Sequence, residues 1–312
     1  MKNTILMFHY FYDNVNYKKV QGSISAEELE NLIIKSKYKV ISADIWIERY
    51  LKNSLEENEV CLSFDDGLKE QMEIALPILE KYDLKGIFNI NTKPILNGYD
   101  ELELYRYYRN YFFDNIDEFY NHFFDVLKNK LNNYEKINKE IDFNNYLVNS
   151  RFYTYNDRKF RYFRDEILKD KYHDIMNTLI GDLKNSIETK KFIWMTKEDI
   201  KSLSEKGHLI GLHTHNHPTS LNYCSYAEQK EDFLENKKIL EQITGETIKI
   251  SAYPCGKYNN DTLKLMKELN ILIGMTATCS ETKFNSLTIK REDIANIRKE
   301  LEKMGGGGNH YV

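Results

Sequence analysis

Leu62-Ser63-Phe64-Asp65-Asp66-Gly67 closes a short apolar run, Glu59 to Phe64, and stands directly before an amphipathic stretch, Leu68 to Tyr82. A short apolar run followed by helical periodicity reads as strand then helix. The carboxylate pair therefore falls at the carboxyl end of a strand, where open α/β sheets and α/β barrels gather their chemistry. The arrangement recurs twice. A predicted strand at His208 to Leu212 runs into His213-Thr214-His215-Asn216-His217-Pro218, and another at Ile248 to Ala252 runs into Tyr253-Pro254-Cys255-Gly256. Two adjacent carboxylates, two imidazoles four residues apart and a Pro/Gly turn are the parts of a mononuclear hydrolytic metal site.

Working outward, the first ninety residues keep a βα rhythm. Thr4 to Phe8 reads as a strand, Ser25-Ala26-Glu27-Glu28 as a capping box opening a helix through Lys35, and Gly86 to Ile90 as a third strand. From residue 93 to 192 the rhythm stops, and Tyr, Phe, Asn and Lys dominate, as in Tyr105-Arg106-Tyr107-Tyr108. Apolar residues recur there at helical intervals, so a mostly helical insertion or cap is expected. The rhythm resumes with Thr196 as N-cap of a helix ending near Gly207, and Ser225 with Glu228 caps a helix to about Thr244. Asp261 to Leu269 reads as a helix, Ile271 to Thr276 as a strand, and Leu287 to Lys290 as a last strand. The expected division is a (β/α) domain from 1–92 and 193–304, the helical insertion 93–192, and a flexible glycine-rich tail 305–312.

A net charge of −4, from 44 basic and 48 acidic residues, gives no drive toward nucleic acid or an anionic membrane. The opening segment is too short and polar for a signal-peptide core, and no run of about 18 apolar residues suggests an integral membrane segment. The reading is a cytoplasmic protein. Cys61, Cys224, Cys255 and Cys279 form no CxxC pair, as expected of reduced thiols.

Alone, Asp65-Asp66-Gly67 is also ordinary turn and N-cap chemistry, and two histidines four apart also occur by chance or as core residues. Their joint placement behind predicted strands is what argues for a site. His215 reads as a supporting or surface residue, His208 as a core or outward one, and Trp46 and Trp194 as packing.

The three motifs resemble the first three motifs of the polysaccharide deacetylases, also called the NodB-homology or carbohydrate esterase family 4 group. Ile5-Leu6-Met7-Phe8-His9 is similar to the N-terminal segment of a circularly permuted branch, the poly-N-acetylglucosamine deacetylase type. The resemblance covers about residues 1–92 and 193–298. It implies an α/β fold, a distorted (β/α)7 barrel, holding one divalent ion, most commonly Zn²⁺, with Co²⁺ or Ni²⁺ also suited to two imidazoles and a carboxylate.

Carried over residue by residue, the resemblance makes Asp66, His213 and His217 the metal ligands, Asp65 the general base and His9 the general acid. Ala252 stands where the third motif normally opens with arginine, and that role passes to Arg291 in Ile289-Lys290-Arg291-Glu292-Asp293-Ile294; an ordinary surface ion pair is the other reading of Arg291. Cys255 holds the position whose backbone N–H donates to the oxyanion, a role that survives a change of side chain. The implied reaction removes an N-acetyl or related acyl group from an amino sugar. The expected partner is an N-acylated sugar, nucleotide sugar or oligosaccharide, with no nucleic acid and with the oligomeric state left open. A catalytically weak carbohydrate-binding relative and a sugar deformylase are the rival readings.

Overall fold

The computed structural model describes residues 3–96, 98–148, 153–277 and 285–297; Cys279 and the glycine-rich segment 305–312 lie outside the described residues. The chain divides into two compact units, Met1–Asp100 with Lys190–Val312, and Glu101–Thr189.

Among its described residues the first unit has nine strands: β1 (Ile5–Phe8), β2 (Lys39–Val40), β3 (Glu59–Val60), β4 (Leu62–Phe64), β5 (Ile87–Ile90), β6 (Leu209–Leu212), β7 (Ile250–Ala252), β8 (Ile273–Met275) and β9 (Arg291–Asp293). Seven of them form one sheet in the order β8-β7-β6-β5-β4-β1-β9, and β2 pairs with β3 separately. Every pairing is parallel. A parallel bridge between Met275 and Ile289 brings the two ends of the sheet together, so the strands make the nearly closed seven-stranded (β/α) barrel that the sequence implied. Strands covered on both faces read as near-continuous apolar runs, and β1, β4 and β5 are buried throughout.

Alternation along the strands sorts their side chains into two sets. One set, including Leu6, Phe8, Leu62, Phe64, Phe88 and Leu212, packs with the surrounding helices in the larger core. The other forms a separate cluster of Ile5, Cys61, Ile87, Ile250, Ile273, Met275 and Ile289 inside the barrel, joined at the strand starts by Trp46, whose indole N–H donates to the Glu59 carbonyl. Toward the carboxyl ends the inner face turns polar, with Asp65, Asn89 and His213 following Cys61, Ile87 and Leu209 at even spacing.

The expected capping boxes at Ser25 and Ser225 form, as does the Thr196 cap. Two details differ from the sequence reading. The last regular strand is Arg291–Asp293 rather than Leu287–Lys290, because the segment changes partner: Ile289 bridges β8, and two residues later Arg291 begins pairing with β1. The helix expected over Leu68 to Tyr82 is interrupted. Leu68 makes a bridge to Trp194, Gln71–Ala75 is a π-helical turn, and the α-helix proper is Leu76–Lys81, with Pro77, which has no N–H to give, in its first turn.

The second unit is helical, with its longest helix at Ile116–Lys130. Its aromatic density is internal packing. Phe119, Phe123, Phe160 and Tyr172 are buried together, with Phe123 and Phe160 centroids 4.9 Å apart, and Lys159 Nζ sits 4.3 Å from the Phe124 ring centroid. Among the described residues no helix is long and apolar enough to cross a membrane.

His208, just before β6, is a core residue. Its Nδ1 accepts a hydrogen bond from the Gly86 N–H at 3.0 Å, and burial pushes its pKa down to about 4. A folded-state pKa below the ordinary value near 6.5 means that the unfolded chain binds the extra proton first. The stabilising contribution is therefore complete above about pH 6.5 and is lost as pH falls from there through 4, by up to about 3 kcal/mol. Replacing His208 by Asn, which keeps an acceptor without a titrating group, is expected to flatten the decline of the urea midpoint between pH 6.5 and 4. An unchanged decline would show that this imidazole does not carry it.

Candidate metal centre

Three atoms of three strand-end residues converge. Asp66 follows β4, and His213 and His217 follow β6; one ligand atom from each lies within 4.8 Å of the others. Asp66 Oδ1 stands 3.3 Å from Nε2 of His213 and 3.3 Å from Nε2 of His217. Each imidazole is oriented from behind. His213 Nδ1 lies 2.8 Å from the Ala252 carbonyl, which can only accept, so Nδ1 carries the hydrogen and Nε2 presents its lone pair. His217 Nδ1 lies 2.9 Å from Oδ2 of Asp100, with the same consequence.

This arrangement fits a cation and little else. Two imidazole lone pairs and a carboxylate oxygen, all acceptors, face one another, and Asp66 Oδ1 is buried without a hydrogen-bond donor. Burial works to raise the Asp66 pKa, but the positive charge that His217 and His213 carry when protonated outweighs it and holds the carboxyl far down. A mononuclear site of one carboxylate and two imidazoles suits Zn²⁺ and leaves coordination positions open. The Cys255 thiol is pushed up to about 11 by desolvation and by the charges of Asp66 and Asp100, and its sulfur is not among the three convergent ligand atoms.

The backbone is bent to make this geometry. Asp66, Thr214, His217 and Cys255 all have positive φ, at 72°, 61°, 55° and 51°, a region costly for residues other than glycine. The bends are held by side chains. Asp232 Oδ1 accepts from the N–H groups of His215 and Asn216, Thr214 Oγ1 from the His217 N–H, and Asn236 Oδ1 from the His213 N–H. Asn236 also donates from Nδ2 to the Ile90 carbonyl, tying the β5 and β6 ends together. Gly256, at φ 66°, could not be replaced without a clash, since a Cβ there would lie 2.5 Å from the Ala277 nitrogen.

Asp65 serves a different set of partners. Its Oδ1 accepts from Arg291 Nη1 at 2.6 Å and from Asn89 Nδ2 at 2.8 Å. Its Oδ2 faces His213 Nε2 at 3.9 Å and His9 Nε2 at 4.0 Å. Burial raises the Asp65 pKa, but the Arg291 guanidinium and then the imidazoles dominate and bring it down to about 2. Arg291 is not at the surface. It is 1% exposed, with Nε donating to the Thr276 carbonyl, so it is a positioning residue for Asp65. His9 has a side chain 27% exposed, where Asp65, Asp66 and His213 are closed off. Cys255 lies in the turn Pro254–Gly256 after β7. His215, between the ligands, turns to Thr92, with Nδ1 and Oγ1 2.9 Å apart.

Several contributors were not singled out from the sequence: Asn89, Asp100, Asp232, Asn236 and Gln71. The Gln71 amide donates from Nε2 to the carbonyls of both His9 and Asp65, at 2.9 and 2.7 Å, locking the β1 and β4 ends together. Asn89 carried a legible signal, a polar residue in the middle of an otherwise apolar strand. Asp100 carried none.

Residues 166–273 match the polysaccharide deacetylase family model. The matched segment includes His213, His217 and the Pro254–Gly256 turn, and starts inside the helical block. A curated relative from Bacillus subtilis (strain 168), YxkH, named for the polysaccharide deacetylases, is 29% identical over 82 residues, which span 26% of this chain and 29% of that protein. Among solved structures, the Streptococcus pyogenes deacetylase PplD in complex with acetate is similar with TM-score 0.52 and 18% identity, covering 93% of this chain and 91% of that one. The de-N-acetylase from Aggregatibacter actinomycetemcomitans gives TM-score 0.53 at 15% identity, over 93% of this chain and 94% of that one. The BpsB deacetylase domain from Bordetella bronchiseptica gives 0.51 at 13%, over 93% and 95%. The polysaccharide-deacetylase resemblance read from the sequence is borne out, by the matched segment for the second and third motifs and by the fold for the barrel.

Titration of metal-free protein with Zn²⁺ or Co²⁺ is expected to show one tight site. His213→Ala should abolish it, and Asp100→Ala, which removes the carboxylate behind His217, should weaken it by about 10–100-fold. Undiminished affinity in His213→Ala would place the ion elsewhere.

Proposed function

We propose that this relative of the polysaccharide deacetylases is a metal-dependent hydrolase that removes an N-acetyl group from an amino sugar. The observation that carries the reading is the division of labour between adjacent carboxylates. Asp66 points at two imidazole lone pairs, while Asp65, held ionised by Arg291, keeps Oδ2 directed at the same space. A purely structural ion would need no second carboxylate beside it, and this favours hydrolysis over a carbohydrate-binding role.

A divalent ion held by Asp66, His213 and His217 would polarise the acyl carbonyl and acidify a water molecule beside it. Asp65 accepts the proton of that water at Oδ2, because Oδ1 is already committed to Arg291 and Asn89. The guanidinium does not donate its own proton; it fixes the carboxylate's orientation and charge. As the C–N bond breaks, the amine must leave protonated. His9, across Asp65 Oδ2 at 4.0 Å and partly open to solvent, supplies that proton. The backbone N–H of Cys255 is the assigned donor to the oxyanion. An N-acylated nucleotide sugar, lipid-linked sugar or oligosaccharide provides the required amide.

Release of acetate from N-acetylated sugars, measured beside bound metal, tests the reading. In Asp65→Asn, which keeps the shape and the metal ligands, kcat/KM is expected to fall by roughly 10²–10⁴-fold with the ion retained. Arg291→Ala should fall as well, through an Asp65 that is looser and protonated for more of the time. Full activity in metallated Asp65→Asn would remove the base from the mechanism.

A further inference from the structure

The mechanism leaves one inward side chain without a task. Asn91 lies just beyond β5, two residues after Asn89, so by strand alternation it faces the same way, one step closer to the carboxyl end. Asn89 pairs with Gly211 in register and donates to Asp65, and it needs the space: a Cβ on residue 211 would lie 2.2 Å from Asn89 Oδ1. On the β6 side, Asn91 and His213 each stand one residue past the last β5–β6 pair, Ile90 with Leu212. The residue is 2% exposed, yet neither Nδ2 nor Oδ1 has a hydrogen-bond partner among the described residues. The polar groups around it are engaged: Thr92 Oγ1 with His215 and Asn236, and Asn236 with the Ile90 carbonyl. A buried amide left unpaired at both ends costs about 1–3 kcal/mol per group, so it is aimed at something that arrives from outside.

We propose that Asn91 is a specificity-determining residue whose carboxamide accepts the N–H of the substrate's acyl amide. The inference rests on the hydrolytic reading above. A carbonyl carbon placed between the Asp66–His213–His217 cluster and Asp65 carries its amide nitrogen one bond away, and Asn91 stands in the register row of His213. The acceptor Oδ1 then meets the one donor that an amide brings to this point and an ester does not. Asn91 thereby selects N-acyl over O-acyl substrates. Sites that hydrogen-bond a substrate N–H reject analogues lacking it, because their own polar groups are then left unpaired.

The test compares two substrates in wild type, Asn91→Ala and Asn91→Ser: an N-acetylglucosamine oligosaccharide, and 4-nitrophenyl acetate with only the rate abolished by Asp65→Asn counted. For the amide, kcat/KM is expected to fall about 100-fold in Asn91→Ala, with a smaller fall in Asn91→Ser, whose hydroxyl is a shorter acceptor. For the ester, both variants are expected to stay within about threefold of wild type, which also reports that they fold and hold the ion. Equal losses on both substrates, or no loss on the amide, overturn the proposal and leave Asn91 as a packing residue or the partner of a bound water. A wild type that releases acetate from neither substrate instead sinks the hydrolytic reading itself.

Discussion

A carboxylate that is 1% exposed stays ionised only when a positive group is fixed against it, and here that group is Arg291, 226 residues away in sequence. The pair sits inside the barrel, where removing one partner would strand the other's charge and cost several kcal/mol. It also links strands: Asp65 ends β4, Arg291 opens β9, and β1 lies between them. Because Arg291 Nε is bound to the Thr276 carbonyl just after β8, the same guanidinium ties in the strand at the far end of the sheet. Barrel closure and the ionisation of Asp65 therefore depend on one side chain. Its planar fork of donors allows both contacts at once, which lysine could not reproduce.

The second constraint is that adjacent carboxylates must look in different directions. In a strand successive side chains point to opposite faces, so Asp65 and Asp66 could not both enter the barrel if β4 continued. The positive φ of Asp66 ends the strand and swings its carboxylate back toward the histidines. His217, also at positive φ, does the same for an imidazole that lies four residues beyond the one on the β6 axis. These bends cost energy locally and are offset by Asp232, Asn236 and Gln71, buried or half-buried groups that each hydrogen-bond backbone near the site.

What was legible in the sequence follows the same physics. The strands that bear the ligands are apolar runs long enough to show themselves, and the motifs sit at their ends. The order of residues could therefore reveal Asp65, Asp66, His213 and His217 as neighbours. The two-residue strand β2 left no period to read, β3 was read as one strand with β4 in the run Glu59 to Phe64, and the change of partner between Ile289 and Arg291 shifted the last strand by a turn that no propensity marks. Arg291 offered two readings from sequence, a site arginine or a surface pair, since only the closed sheet brings it to Asp65. Asp100 and Asp232 were illegible for a simpler reason. They act through the backbone or ring of another residue, and nothing in their own surroundings in sequence announces that target.

Unsatisfied buried polarity is where structure adds most to the motifs. Within the barrel unit, the described buried side chains lacking a hydrogen-bond partner on at least one polar atom are Asp66, Gln71, Asn89, Asn91 and Trp194. Four of these five come from the β4 and β5 ends or from the turn that braces them. A barrel selected only for stability would fill these inner positions with Val, Ile or Leu, as it does at Ile5, Ile87 and Ile273 below them. The polar end thus sacrifices packing energy at one rim while the opposite end is closed by Trp46. That gradient, apolar at the strand starts and under-satisfied at the strand ends, sets the costly polar groups at the same rim where Asp66, His213 and His217 converge.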